Sequence, residues 1–274
     1  MNHYLKLVNF EVKRFWKLFI GLITFVIVAQ LIGAIITARN YMKYANENMR
    51  REQMIESEYV LHYGAYSLER FVHSEYFVLP VVFAAAVLII YVFFIWYRDW
   101  LGKSSFIYRL LMLPTARRNV YFAKLTTILL FVLFLVGMQI LLFSGVGQIS
   151  RLIVPEQLRN DYGIVNLHKY DFLAVLYPQS PLHFVLVYGL GMTIVALVFT
   201  AILFERSYHL KGIFFGAIYL ILSVMFIFIP VFIQIMTNYL YMNELILLTV
   251  LTSSIALALA IYLADYLLKR KINV

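Results

Sequence analysis

The sequence predicts an all-α, polytopic membrane protein with six transmembrane helices and both termini in the cytoplasm. Three observations lead there. Of 274 residues, 63% are hydrophobic and only 14% charged, against about a quarter charged in soluble domains. The apolar residues gather into six blocks, 18–38, 77–97, 125–149, 183–204, 212–236 and 245–268, each near the ~20 residues that cross a bilayer as a helix. With six spans, the side holding both termini carries 15 Lys and Arg and the other side 8, while acidic residues run four against ten. Basic residues are retained on the inside. The termini, 98–124 and 205–211 are therefore assigned to the cytoplasm, and 39–76 and 150–182 to external loops. One transmembrane domain, 1–274, in a cell membrane of bacterial cytoplasmic type is the expected arrangement.

The elements follow in chain order. In 4–17, Leu5, Val8, Val12 and Phe15 recur at three- and four-residue steps among Lys6, Lys13, Arg14 and Lys17, which predicts an interfacial helix. A basic anchor that only sets topology fits equally well. The block 18–38 is too long for a secretory h-region and has no clean cleavage site, so it is read as a retained span. The loop 39–76 has no Pro and many helix formers, and is expected to be helical near the outer surface. Its Tyr41, Tyr44, Tyr59, Tyr63 and Tyr66 offer a contact surface for an amphipathic substrate or seat the loop among headgroups. The loop 150–182 holds Pro155, Pro178 and Pro181, is therefore broken, and is expected to pack on the first loop.

Trp16, Trp96 and Trp100 fall at the cytoplasmic ends of spans, where amphipathic rings belong. Gly212 and Gly216 form a G-x-x-x-G at the start of the fifth span, suited to internal packing or to a dimer contact. Pro230 interrupts that span and is expected to kink it.

Chemistry is scarce. No Cys is present, so thiolate metal sites, disulfides and a cysteine nucleophile are excluded. Neither H-E-x-x-H nor G-x-S-x-G occurs, and no histidine lies in mid-span, so no catalytic residue is assigned. His62 and His73 have no third ligand beside them, and no metal site is expected. The basic charge follows the membrane sides, so nucleic acid is not a predicted partner, whereas membrane lipid is. No charged side chain is placed near the bilayer centre, which argues against an ion-coupled carrier.

The triplet Gly102, Lys103, Ser104 lacks the earlier glycine of a phosphate loop, that position being Tyr97, and follows a membrane span rather than a strand. Around it, Phe106, Ile107, Leu110, Leu111 and Leu113 are too apolar for a solvated loop and too few to span. They suit a short helix presenting an apolar face to a partner or to lipid, ended by Pro114, with Thr115 as a cap for the next helix.

With "FEVKRFWK" before span one, "YRLLMLPTARRNVYFAKL" between spans two and three, six spans and "LLKRKINV" after the last, the chain resembles the membrane permeases of ABC-2-type exporters. The resemblance implies a coupling helix at Phe106, Ile107, Tyr108, Arg109, Leu110, Leu111 and Leu113 that docks on a separate cytosolic ATPase. It implies a second contact at Glu205, Arg206, Tyr208 and His209, with ATP and Mg held by the ATPase and none by this chain. It also implies a second permease, identical or related, and export of an amphipathic peptide or lipid-like substrate. Two other classes stand beside it: a non-transporting sensor or immunity protein binding a ligand through its outer loop, and an ion-coupled carrier.

Overall fold

The computed structural model describes residues 3–100, 106–112, 115–160, 173, 176–178 and 180–272. Gly102, Lys103, Ser104, Leu113 and Pro114 lie outside them. Nine α-helices occur among the described residues: α1 (His3–Glu52), α2 (Glu56–Tyr63), α3 (Leu68–Val72), α4 (Glu75–Trp100), α5 (Phe106–Leu111), α6 (Arg118–Ile153), α7 (Pro181–Tyr208), α8 (Leu210–Thr237) and α9 (Met242–Arg270). No strand is present among those residues, where one isolated bridge joins Tyr66 and Arg159. Six helices, α1, α4, α6, α7, α8 and α9, are long and apolar enough to cross a membrane. Each contains one of the six apolar blocks.

The segment 4–17 is not a separate element. It runs into the first span as one helix of 50 residues, because nothing between residues 4 and 38 breaks the ladder: there is no Pro, and Gly21 and Gly33 are isolated. At 1.5 Å per residue such a helix is about 75 Å long, more than twice a ~30 Å hydrocarbon layer. A large part of it must therefore lie outside the hydrocarbon layer. Pro80 and Pro230 sit inside α4 and α8, which continue through them.

The chain divides into two compact units. One comprises Phe15–Val87 and Phe131–Gln179. Here Gln30 and Gln139, both buried, exchange two amide hydrogen bonds at 3.0 and 2.7 Å, so neither polar group is stranded in an apolar interior. Tyr76 lies against Gly33 so closely that a Cβ at Gly33 would sit 2.2 Å from the tyrosine Cβ. Beyond these, Ala38, Tyr41, Ala45, Tyr59, Tyr66, Val154 and Leu158 form a core of their own. The segments 39–76 and 150–182 meet there, the amide of Tyr66 donating to Leu158 O at 2.8 Å and that of Asn160 to Tyr66 O at 2.8 Å.

The other unit comprises Met1–Arg14, Leu88–Leu130 and Ser180–Val274. In it α7, α8 and α9 pack together, with Thr200 Oγ1 reaching Ala260 O at 3.2 Å and Tyr121 Oη donating to Ala196 O at 2.8 Å. The G-x-x-x-G works inside this bundle: a Cβ on Gly212 would meet Phe204 O at 2.2 Å, and one on Gly216 would meet Ala201 O at 2.9 Å. Both glycines are buried. Internal packing of α8 on α7 is one of the two uses open to them.

Candidate functional site

The unit holding the chain ends carries a group of charges that the sequence placed in solvated segments. Lys124, in the second turn of α6, is wholly buried. Its ammonium donates to Glu11 Oε1 at 2.8 Å, Asp99 Oδ2 at 2.5 Å and Ile95 O at 2.8 Å, which uses all three donors of a lysine. Arg98 donates to the second oxygen of Glu11 at 3.0 Å and Arg14 to the second oxygen of Asp99 at 2.6 Å. Every carboxylate oxygen is therefore engaged. Three cations and two carboxylates tie α1, α4 and α6 together, and the ring of Trp96 covers the lysine at 5.1 Å. Trp96 is thus a core residue packed on Tyr121 and Phe199, not an interfacial anchor. With every carboxylate oxygen and all three lysine donors engaged, the network clamps the three helices together.

Arg14 also connects this clamp to α5. Its guanidinium lies 5.1 Å from the ring centres of both Phe10 and Phe106, and those rings stack 5.6 Å apart. The apolar face of α5 is turned into the chain: Ile107, Leu110 and Leu111 are buried. This overturns the expectation of an apolar face offered to a partner. An own-chain surface, that of α1 near Leu7 and Phe10, was available to cover it. Tyr108, Arg109 and Met112 point outward instead, while Phe106 is half-buried. Thr115 Oγ1 accepts from the Asn119 side chain at 3.0 Å, and α6 begins only at Arg118.

Beside α5 lies a cleft of about 630 Å³ where α4, α7 and α9 end and α8 begins. Tyr108 lines it together with Glu205, Arg206 and His209, so two segments a hundred residues apart in the sequence share one feature. Tyr208 is exposed beside it, and Lys271 lies 5.5 Å over its ring. Glu205 accepts a hydrogen bond from Tyr97. Arg206 stacks over Tyr97 at 4.7 Å and Trp100 at 5.7 Å, and its ion pair with Glu205 is long, at 3.6 Å. A second groove, of about 400 Å³, lies among α7, α8 and α9 and is lined by Gly189, Leu190, Val231, Ile246, Val250 and Leu257. Thr193 and Thr249 there bond to carbonyls of their own helices.

The tyrosines of the segment 39–76 divide. Tyr41, Tyr59 and Tyr66 are buried in the small core of the first unit, where Tyr41 Oη reaches Gly64 O and Leu158 O at 3.1 Å each and burial raises the Tyr66 phenol above its ordinary pKa. They hold the loop together and offer no contact surface. Tyr44 and Tyr63 are exposed, as is Tyr76 at the end of the segment. No group of three metal-ligating side chains occurs among the described residues. Compared with protein-family models, with curated proteins and with solved structures, the chain matches none.

Proposed function

We propose that this chain is the permease subunit of an ATP-driven exporter, moving an amphipathic peptide or lipid-like substrate and drawing its energy from a cytosolic ATPase. In this reading the face carrying α5 and the 630 Å³ cleft is cytoplasmic. The observation that carries the reading is the convergence of Tyr108 with Glu205, Arg206 and His209 on one cleft. These belong to the two segments that the resemblance to ABC-2-type permeases assigns to ATPase contact. Docking uses the outward residues Tyr108, Arg109 and Met112, a tyrosine, an arginine and a flexible methionine being suitable anchors. The buried leucines behind them make α5 rigid. The groove of about 400 Å³ suits the apolar part of an amphipathic substrate, and a second permease copy or homologue completes the path.

A photoreactive amino acid in place of Met112 tests this in native membranes. Illumination should capture a soluble protein with a nucleotide-binding motif, and capture should fall when Arg109→Glu is added. Adducts with lipid alone would overturn the docking role.

A further inference from the structure

We infer that the cleft between Trp100, Arg206 and Lys271 is a binding site for the headgroup of an anionic phospholipid. The inference places a lipid in the cleft itself and leaves ATPase contact to the outward Tyr108, Arg109 and Met112 of α5.

The first argument is chemical. Among the described residues, Trp100 Nε1, Arg206 Nε and Ser207 Oγ are buried atoms without a hydrogen-bond partner, and all three residues line the cleft. Native structures rarely leave such donors unmet. The nearest acid, Glu205, is engaged by Tyr97 and reaches Arg206 only at 3.6 Å. The rings of Tyr97 and Trp100 lie 4.7 and 5.7 Å from the guanidinium carbon and hold the group in place, and a guanidinium is suited to a phosphate. Lys271, whose ammonium lies 5.5 Å over the Tyr208 ring, adds a second cation at the rim. The guanidinium of Arg206 and the ammonium of Lys271 stand against one occupied carboxylate, which selects a negatively charged ligand.

The second argument is position. The cleft lies at the ends of four membrane-crossing helices, α4, α7, α8 and α9, the level of a bilayer at which headgroups sit. Its α8 wall, Leu210 and Ile213, is 84% and 53% exposed and continues into Phe214 and Phe215, also exposed. A soluble acidic partner has no use for that apolar lip, whereas a lipid places its acyl chains along it while the phosphate enters the cleft. Basic pockets between spans on the cytoplasmic side hold anionic headgroups in this way.

The test uses the purified full chain in a mild detergent, with phosphatidylglycerol and phosphatidylcholine as probes and bound lipid read by native mass spectrometry. Phosphatidylglycerol should be retained in preference to phosphatidylcholine. Arg206→Gln with Lys271→Gln should bind it about 30-fold more weakly, from about a fivefold effect per basic residue. Lys271→Gln alone, at an exposed position that the fold does not need, should show the fivefold part, and Lys13→Gln, an exposed lysine outside the cleft, none. Equal phosphatidylglycerol binding by wild type and by Lys271→Gln would overturn the proposal. So would displacement of the lipid by millimolar inorganic phosphate, which would make this a site for free anions. Loss of a co-purifying ATPase with undiminished lipid binding would assign the cleft to protein contact instead.

Discussion

The ammonium of Lys124 lies 2.5 Å from Asp99 Oδ2, and both side chains are completely shielded from solvent. The pair joins α6 to the end of α4, and Glu11 adds α1 to it. The arrangement matters for function because Arg14, the partner of the other Asp99 oxygen, also stacks on Phe106 of α5. Any displacement of α5 is therefore felt by the clamp.

Removing the lysine leaves two buried carboxylates without their shared partner. Lys124→Met is expected to destabilise the chain by about 3–5 kcal/mol, the cost of breaking a buried pair from one side. Adding Asp99→Leu should cost less than it does in the wild type, since Oδ2 has already lost the lysine, although Arg14 then loses its own partner. Thermal unfolding in detergent measures both, and a strictly additive double variant would deny the coupling.

Gly212 and Gly216 separate packing within the chain from dimer formation. A methyl at Gly212 would have to fit 2.2 Å from a backbone oxygen and one at Gly216 2.9 Å from another. Gly212→Ala should therefore cost more than Gly216→Ala, with the latter at about 1–3 kcal/mol. Gly191→Ala, which meets nothing within 4 Å, should be close to neutral. Unchanged monomer stability in Gly212→Ala would contradict the packing role.

On α5, substitutions behind and in front of the helix should have opposite signatures. Leu110→Ala and Leu111→Ala remove buried side chains and are each expected to cost about 2–5 kcal/mol. Tyr108→Ala and Met112→Ala leave an outward face, and should lower thermal stability by no more than about 0.5 kcal/mol while reducing recovery of the ATPase. Stability and co-purification measured on the same four variants decide this.

In the small core around Tyr41, Tyr59 and Tyr66, Tyr41→Phe deletes the hydroxyl that two carbonyls share. A loss of about 1–3 kcal/mol is expected from leaving them unmet, seen as faster proteolysis between Glu52 and Arg70. Tyr44→Phe, at an exposed position, should cleave at the wild-type rate.

Much of the architecture was legible in the chain alone, and for a physical reason. A bilayer-crossing segment must satisfy its own backbone, so an apolar block of the right length is almost obliged to be a helix, and all six blocks became one. The helical character of 39–76 followed in the same way from local propensity, as α2, α3 and the extension of α1. Local pattern also marked α5 as apolar on one side.

What pattern does not carry is which surface meets which. Leu110 and Leu111 read the same whether a partner, lipid or α1 covers them, and only the fold turned them inward. Tyr41 and Tyr44 are equivalent by composition, yet one is in a core and the other in solvent. Glu11, Asp99 and Lys124, scattered over more than a hundred positions, read individually as solvated charges near span ends. Their burial is tolerable only because three helices bring opposite charges within hydrogen-bond distance of one another, and that depends on the packing of distant elements rather than on any spacing in the sequence.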